Sequence, residues 1–161
     1  MISGFCDWLA ATPVSQAFQD AKWFVPLVQT VHIMNIAVVV TSVGMIDFKL
    51  LGIAGRAQSL AAMVASFMPW IWTALSILLV TGTLLAVTEP SRELMNAAFR
   101  IKMILVLCMA SILRVVQRRL RRDSAYWEIS PGRRRTARAI GAGSLLLILC
   151  VVVCGRWIAY I

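Results

Sequence analysis

Gln29, His32 and Asn35 recur at a spacing of three inside an otherwise apolar run, and His32 is the single histidine of the chain. At about 100° per residue, the three side chains share one face of a helix. Polar groups are costly in lipid and normally face a bundle interior or a cavity, so this stripe is the first candidate for chemistry. Thr81, Thr83, Lys102 and Arg156 stand within or near the ends of later apolar runs. A histidine nitrogen ligates haem iron, with Lys or Arg holding the propionates. The same groups also hydrogen-bond a quinone carbonyl or hold an anionic head group. A structural reading stands beside these: His32 donates to Gln29 or to a threonine, while Lys102 and Arg156 snorkel to the interface. A low-spin haem b normally takes two imidazoles in such a bundle, and this chain offers one. Met34, Met45, Met63, Met68, Met95, Met103 and Met109 are chemically suitable second ligands, and an intersubunit haem is a further option.

The elements that must position these groups follow from composition. Of 161 residues, 60% are hydrophobic and 14% charged, which excludes an ordinary soluble globule and leaves one lipid-embedded domain. The net charge of +9 does not point to nucleic acid, because 9 of the 16 basic residues lie between Arg114 and Arg138 beside apolar runs. Such arginines set topology and touch anionic lipid; Arg118, Arg119, Arg121, Arg122, Arg133, Arg134 and Arg135 are the expected contacts with lipid or with a membrane-protein partner. Cys6, Cys108, Cys150 and Cys154 form no C-x-x-C pair and have no further histidines to complete a zinc set. Phosphate-loop, H-E-x-x-H and Ser/His/Asp patterns are absent from the sequence.

The pattern predicts an all-α integral membrane four-helix bundle with spans at about 24–45, 68–87, 99–116 and 140–161. Residues 1–22 are expected to form short interfacial helices, with Ser3 and Thr12 as N-caps and Pro13 in the first turn of the second. With no basic segment before an apolar one at the N-terminus, no removable signal peptide is expected, and the first span acts as a signal anchor. Asp47–Gly52 should close that span with charges at the surface and a glycine turn. The spans are then expected to hold no carboxylate, which argues against a transporter driven through an intramembrane acid. Ala57–Phe67 should lead as helix into the second span, with Pro69 in its first turn. Thr88–Asn96 reads as a polar loop, and a loop through Trp127, Pro131 and Gly132 should precede the second basic cluster, Arg133, Arg134, Arg135 and Arg138.

Basic residues orient the chain. Lys49, Arg56 and the nine arginines fall on one side, against Lys22, Arg92 and Arg100 on the other. The positive-inside rule puts the first group in the cytoplasm and both termini outside. His32 then lies roughly 12 Å below the outer surface by helix rise, at the level of Thr81, Thr83, Lys102 and Arg156, with Glu89 at the mouth as a partner for Lys102 or Arg156.

The ordered pattern W-x-x-P-x-x-Q-x-x-H (Trp23, Pro26, Gln29, His32), D-F-K-L-L-G (Asp47–Gly52), P-W (Pro69, Trp70), A-F-R-I-K (Ala98–Lys102) and C-G-R-W-I-A-Y-I (Cys154–Ile161) resembles a family of small bacterial inner-membrane proteins of uncharacterised function. The resemblance covers nearly the whole chain. It implies a multi-pass protein of the inner membrane and draws attention to His32, Asp47, Lys102 and Arg156, without supplying an activity. In that family a Glu stands at the position of Gln29 and a second His often falls near Leu113–Gln117; this chain departs at both places. The expected role is a non-enzymatic membrane component, an accessory subunit or homo-oligomer, that binds a small ligand or lipid at the His32 cluster or is stabilised by it. The alternative is a haem b or quinone-binding redox subunit.

Overall fold

The computed structural model describes residues 2–53, 58–127 and 129–157, which form helices and connecting turns with no strand among them. In chain order the helices are α1 (Ile2–Ala10), α2 (Pro13–Asp20), α3 (Phe24–Leu51), α4 (Leu60–Thr88), α5 (Pro90–Leu94), α6 (Ala97–Arg122) and α7 (Pro131–Trp157). Ser3 lies inside α1, which starts at Ile2, and so does not cap it; Ala57, Arg56, the Arg92 side chain and the end of the fourth span at 158–161 lie outside the described residues.

Among the described residues, three helices, α3, α4 and α7, are long and apolar enough to cross a membrane. Their exposed surface is oily: Ile33, Met34, Leu79, Val80, Leu146 and Leu149 are all more than half exposed. Apolar area on that scale is stable in lipid and not in water. The chain is therefore a multi-pass membrane protein. The expected third span, 99–116, is not among these three helices. It forms α6 instead, with an uncharged run of eleven residues, Met103–Leu113, between Lys102 and Arg114.

Local chemistry fixes the helix ends. Thr12 accepts from the Ser15 amide with Pro13 beginning α2, as the sequence indicates. Gly52 ends α3 at φ 80°, donating to Lys49 O while Ile53 donates to Phe48 O, a Schellman closure that favours glycine. Three expectations are corrected. Pro69 lies well inside α4, which starts at Leu60 under a Ser59 cap. The second basic cluster is helical, because Ser130 accepts from the Arg133 amide and Pro131 starts α7. Asp47 is not at the surface: it is 1% exposed inside α3, so the apolar helices do hold a carboxylate.

Each long helix packs against two others: α3 against α4 and α7, and α6 against α7 and more thinly against α4. The core is lopsided. It joins Val39, Val43, Ile46 and Leu50 to Met63, Met68 and Ile71, to Met109, Leu113, Val116 and Leu120, and to Ala137 and Ile148. Apart from Met109 and Ile148, near mid-helix, these lie in the half of the helices nearer the arginines. At the opposite end α1 and α2 form a collar on α4 and α5. Ser15 Oγ donates to Val87 O at 2.8 Å and Gln19 Nε2 to Thr88 O at 2.9 Å, satisfying two of the carbonyls orphaned at the end of α4.

Candidate functional site

Above the core, antiparallel packing brings the N-terminal part of α3 beside the C-terminal part of α4. His32 Nδ1 lies 2.7 Å from Thr81 Oγ1. The hydroxyl hydrogen of Thr81 is already used, since Thr81 Oγ1 donates to Ile77 O at 2.8 Å. The short contact therefore has the imidazole Nδ1–H donating to the Thr81 oxygen, which fixes the tautomer and leaves Nε2 with its lone pair. Gly82 keeps the adjacent face open: a Cβ there would stand 3.5 Å from His32 Cε1.

Lys102, from the first turns of α6, reaches the same level. Its ammonium lies against α7 at Gly155, where a Cβ would be 3.9 Å from Nζ, and its charge acts on His32, Glu93 and Cys154. His32 and Lys102 are both half-buried, while Thr81 is buried. Of the residues expected at one level, His32 and Thr81 touch directly, and Lys102 reaches His32 through its charge. Glu93 was not foreseen there; its place in α5, one turn before α6, is the local reason.

Of the remaining expected members, Asn35, Thr83 and Gln29 do not join this group. Asn35 Nδ2 donates to Val31 O of its own helix at 2.8 Å, Thr83 Oγ1 donates back to Leu79 O at 2.8 Å, and both Thr83 and Gln29 are exposed. Arg156 is exposed beside Gly155. A spacing of three allows a common face but drifts around a real helix of 3.6 residues per turn, so Gln29 and Asn35 diverge from His32.

The buried carboxylate is the residue that spacing alone passed over. Asp47 lies on the stripe Val39, Val43, Ile46, Leu50 that faces the core, a 3.6-residue signal visible in the sequence. Ser144 of α7 faces it, yet Asp47 Oδ2 and Ser144 Oγ each lack a hydrogen bond of good geometry. α3 and α7 touch closely there: a Cβ on Gly141 would meet Leu50 Cβ at 3.0 Å and the Asp47 carbonyl oxygen at 3.1 Å.

The arginines sort into distinct environments. Arg119 and Arg133 lie over Tyr126, 5.3 and 4.4 Å from its ring centre. Arg114 lies 5.0 Å from the Trp72 ring, whose Nε1 donates to Gln117 Oε1 at 3.3 Å, and Arg118 and Arg121 complete a cavity of about 340 Å³ around that pair. Arg134 and Arg138 line another cavity with Lys49 and Trp127. Arg122 and Arg135 are exposed. No cluster of three His, Cys, Asp or Glu suited to a metal occurs among the described residues.

Residues 18–161 match the model of a family of unknown function, DUF6644. The chain belongs to this family. The match takes in every long helix, α3, α4, α6 and α7, together with His32, Thr81, Lys102 and Asp47, and it begins within α2, after α1. Comparison with curated proteins and with solved structures returns no match.

Proposed function

We propose that this family member is a non-enzymatic component of the bacterial inner membrane, crossing it four times with both termini outside, whose His32–Thr81–Lys102 cluster binds the polar head of a lipid-soluble ligand, a quinone or a lipid. The observation that carries the reading is the fixed imidazole. With Nδ1 committed to Thr81, Nε2 accepts a hydrogen bond, and the Lys102 ammonium, whose charge reaches His32 from beside Gly155, donates to an oxygen. An acceptor and a cationic donor at one depth, above the end of the apolar core, suit a ligand with a hydroxyl next to a carbonyl or an anionic group.

A fourth crossing is supported by what α6 touches. It packs along α7 from Lys102 beside Gly155 to Arg119 and Arg133 around Tyr126, so it runs the height of its neighbour. Ile101, Ile104 and Leu107 on α6 are at least half exposed, as lipid-facing residues are. Helix association supplies what its shorter uncharged run lacks, and its flanking Arg and Lys side chains snorkel.

The test is to purify the protein in mild detergent, extract it, and identify lipid-soluble molecules by mass spectrometry. One quinone or lipid species should be retained by the native chain and lost from His32→Ala and Lys102→Met. The same species in equal amount on all three would overturn the reading. A redox reading uses the same Nε2 lone pair as a haem b ligand. It requires a Soret band in protein expressed with ample haem, and a featureless visible spectrum removes it.

A further inference from the structure

The end of the bundle opposite His32 carries a second cavity, of about 220 Å³, lined by Lys49, Leu50, Gly52, Leu60, Trp127, Arg134, Ala137 and Arg138. We propose that this cavity is a binding site for a phosphate group, independent of the His32 cluster.

Among the described residues its lining holds three cationic side chains and no carboxylate, and the two arginines carry the argument. Arg134 and Arg138 are one turn apart on α7, where like charges repel. Arg134 also stands at the end of the first turn of a helix begun by Pro131, where the macrodipole is positive and favours anions over cations. The two arginines are electrostatically opposed by each other, and Arg134 by its own helix as well; a bound anion reverses both penalties. The neighbouring arginines have other contacts: Arg119 and Arg133 hold Tyr126, and Arg114 holds Trp72. Arg118 and Arg121 face the other cavity, beside Trp72 and Gln117, while Arg134 and Arg138 face this one with Lys49.

The shape fits the charge. At about 30 Å³ per water, the space equals that of roughly seven water molecules, room for a tetrahedral phosphate and the first atoms of its ester. Arg guanidinium forks match phosphate oxygens in pairs. Leu50, Leu60 and Ala137 offer an apolar wall, and Trp127, 7% exposed, closes the inner side with an indole typical of the membrane interface. A phosphodiester at an interfacial depth and a phosphate group from solution share this chemistry.

The native chain and the double variant Arg134→Gln/Arg138→Gln are compared by thermal unfolding in nanodiscs of neutral phosphatidylcholine, titrated with phosphatidylglycerol or with inorganic phosphate. Arg122→Gln/Arg135→Gln, two exposed arginines that line neither cavity, serves as the charge-matched control. Stabilisation by phosphatidylglycerol alone identifies a lipid site, and stabilisation by inorganic phosphate as well identifies a site open to solution. Either supports the proposal if the apparent affinity falls about thirty-fold in the cavity variant and stays near native in the control, as two surface charges imply. Equal loss in both variants, or no response to either phosphate, overturns it. Should the cavity variant fail to fold, photoactivatable phosphatidylglycerol on the native chain decides: cross-links concentrated at Lys49 and Arg134–Arg138 sustain the site, and cross-links spread over all the arginines refute it.

Discussion

His32 of α3 donates through Nδ1 to Thr81 of α4 across 2.7 Å, and that one contact ties together the two longest apolar helices at the level where the hydrophobic core has ended. It makes the imidazole a fixed group with a defined tautomer.

Thr81→Val removes the acceptor and leaves a half-buried Nδ1–H unpaired in a low-dielectric setting. The loss should be about 1 kcal/mol, in line with hydrogen bonds between membrane helices. Thr81→Ser keeps the oxygen and should unfold close to the native temperature in detergent. If Val and Ser behave alike, the hydrogen bond contributes nothing to stability.

Gly141 and Gly143 lie two residues apart on α7 in different surroundings. A methyl on Gly141 presses on Leu50 and on the backbone of Asp47 at 3.0 and 3.1 Å, whereas one on Gly143 meets nothing within 4 Å. Gly141→Ala should therefore cost about 1–3 kcal/mol, and Gly143→Ala should be neutral or slightly stabilising through its better helix propensity. Equal thermal shifts for the two variants would contradict the close approach of α3 and α7.

Asp47 buries a carboxyl whose Oδ2 has no hydrogen-bond partner of good geometry among the described residues. Replacing it with a neutral group of the same shape removes the cost of burying charge. Asp47→Asn should hold or raise the unfolding temperature, and Ser144→Ala should change it little. A marked loss of stability in Asp47→Asn would mean that the carboxylate holds an interaction essential to the fold.

Reporter fusions after Asn96 and after Ser124 bracket α6. The proposed fourth crossing requires a periplasmic signal at the first and a cytoplasmic signal at the second. Matching signals at the two sites would leave α6 on one face of the membrane and reduce the number of crossings.

The sequence determined by itself the properties that depend on composition and local spacing. Apolar runs at Phe24–Met45 and Met68–Val87 require lipid whatever their neighbours, Thr12-Pro13 and Gly52 mark helix ends through their own backbone preferences, and the histidine, threonine and lysine could be ranked by depth along their helices. Ser130-Pro131 carried the same kind of end signal for α7 and was hidden by the arginines that follow it. Tertiary structure decided which way each polar group turns. Depth along a helix does not fix azimuth, and azimuth is set by the neighbour against which the helix packs. That is why Thr81 meets His32 while Thr83, two residues on and pointing about 200° around the helix, faces outward. It is also why Asp47, polar by type, is sealed against α7: the stripe Val39, Val43, Ile46 and Leu50 must face the core, and the carboxylate is carried inward with it.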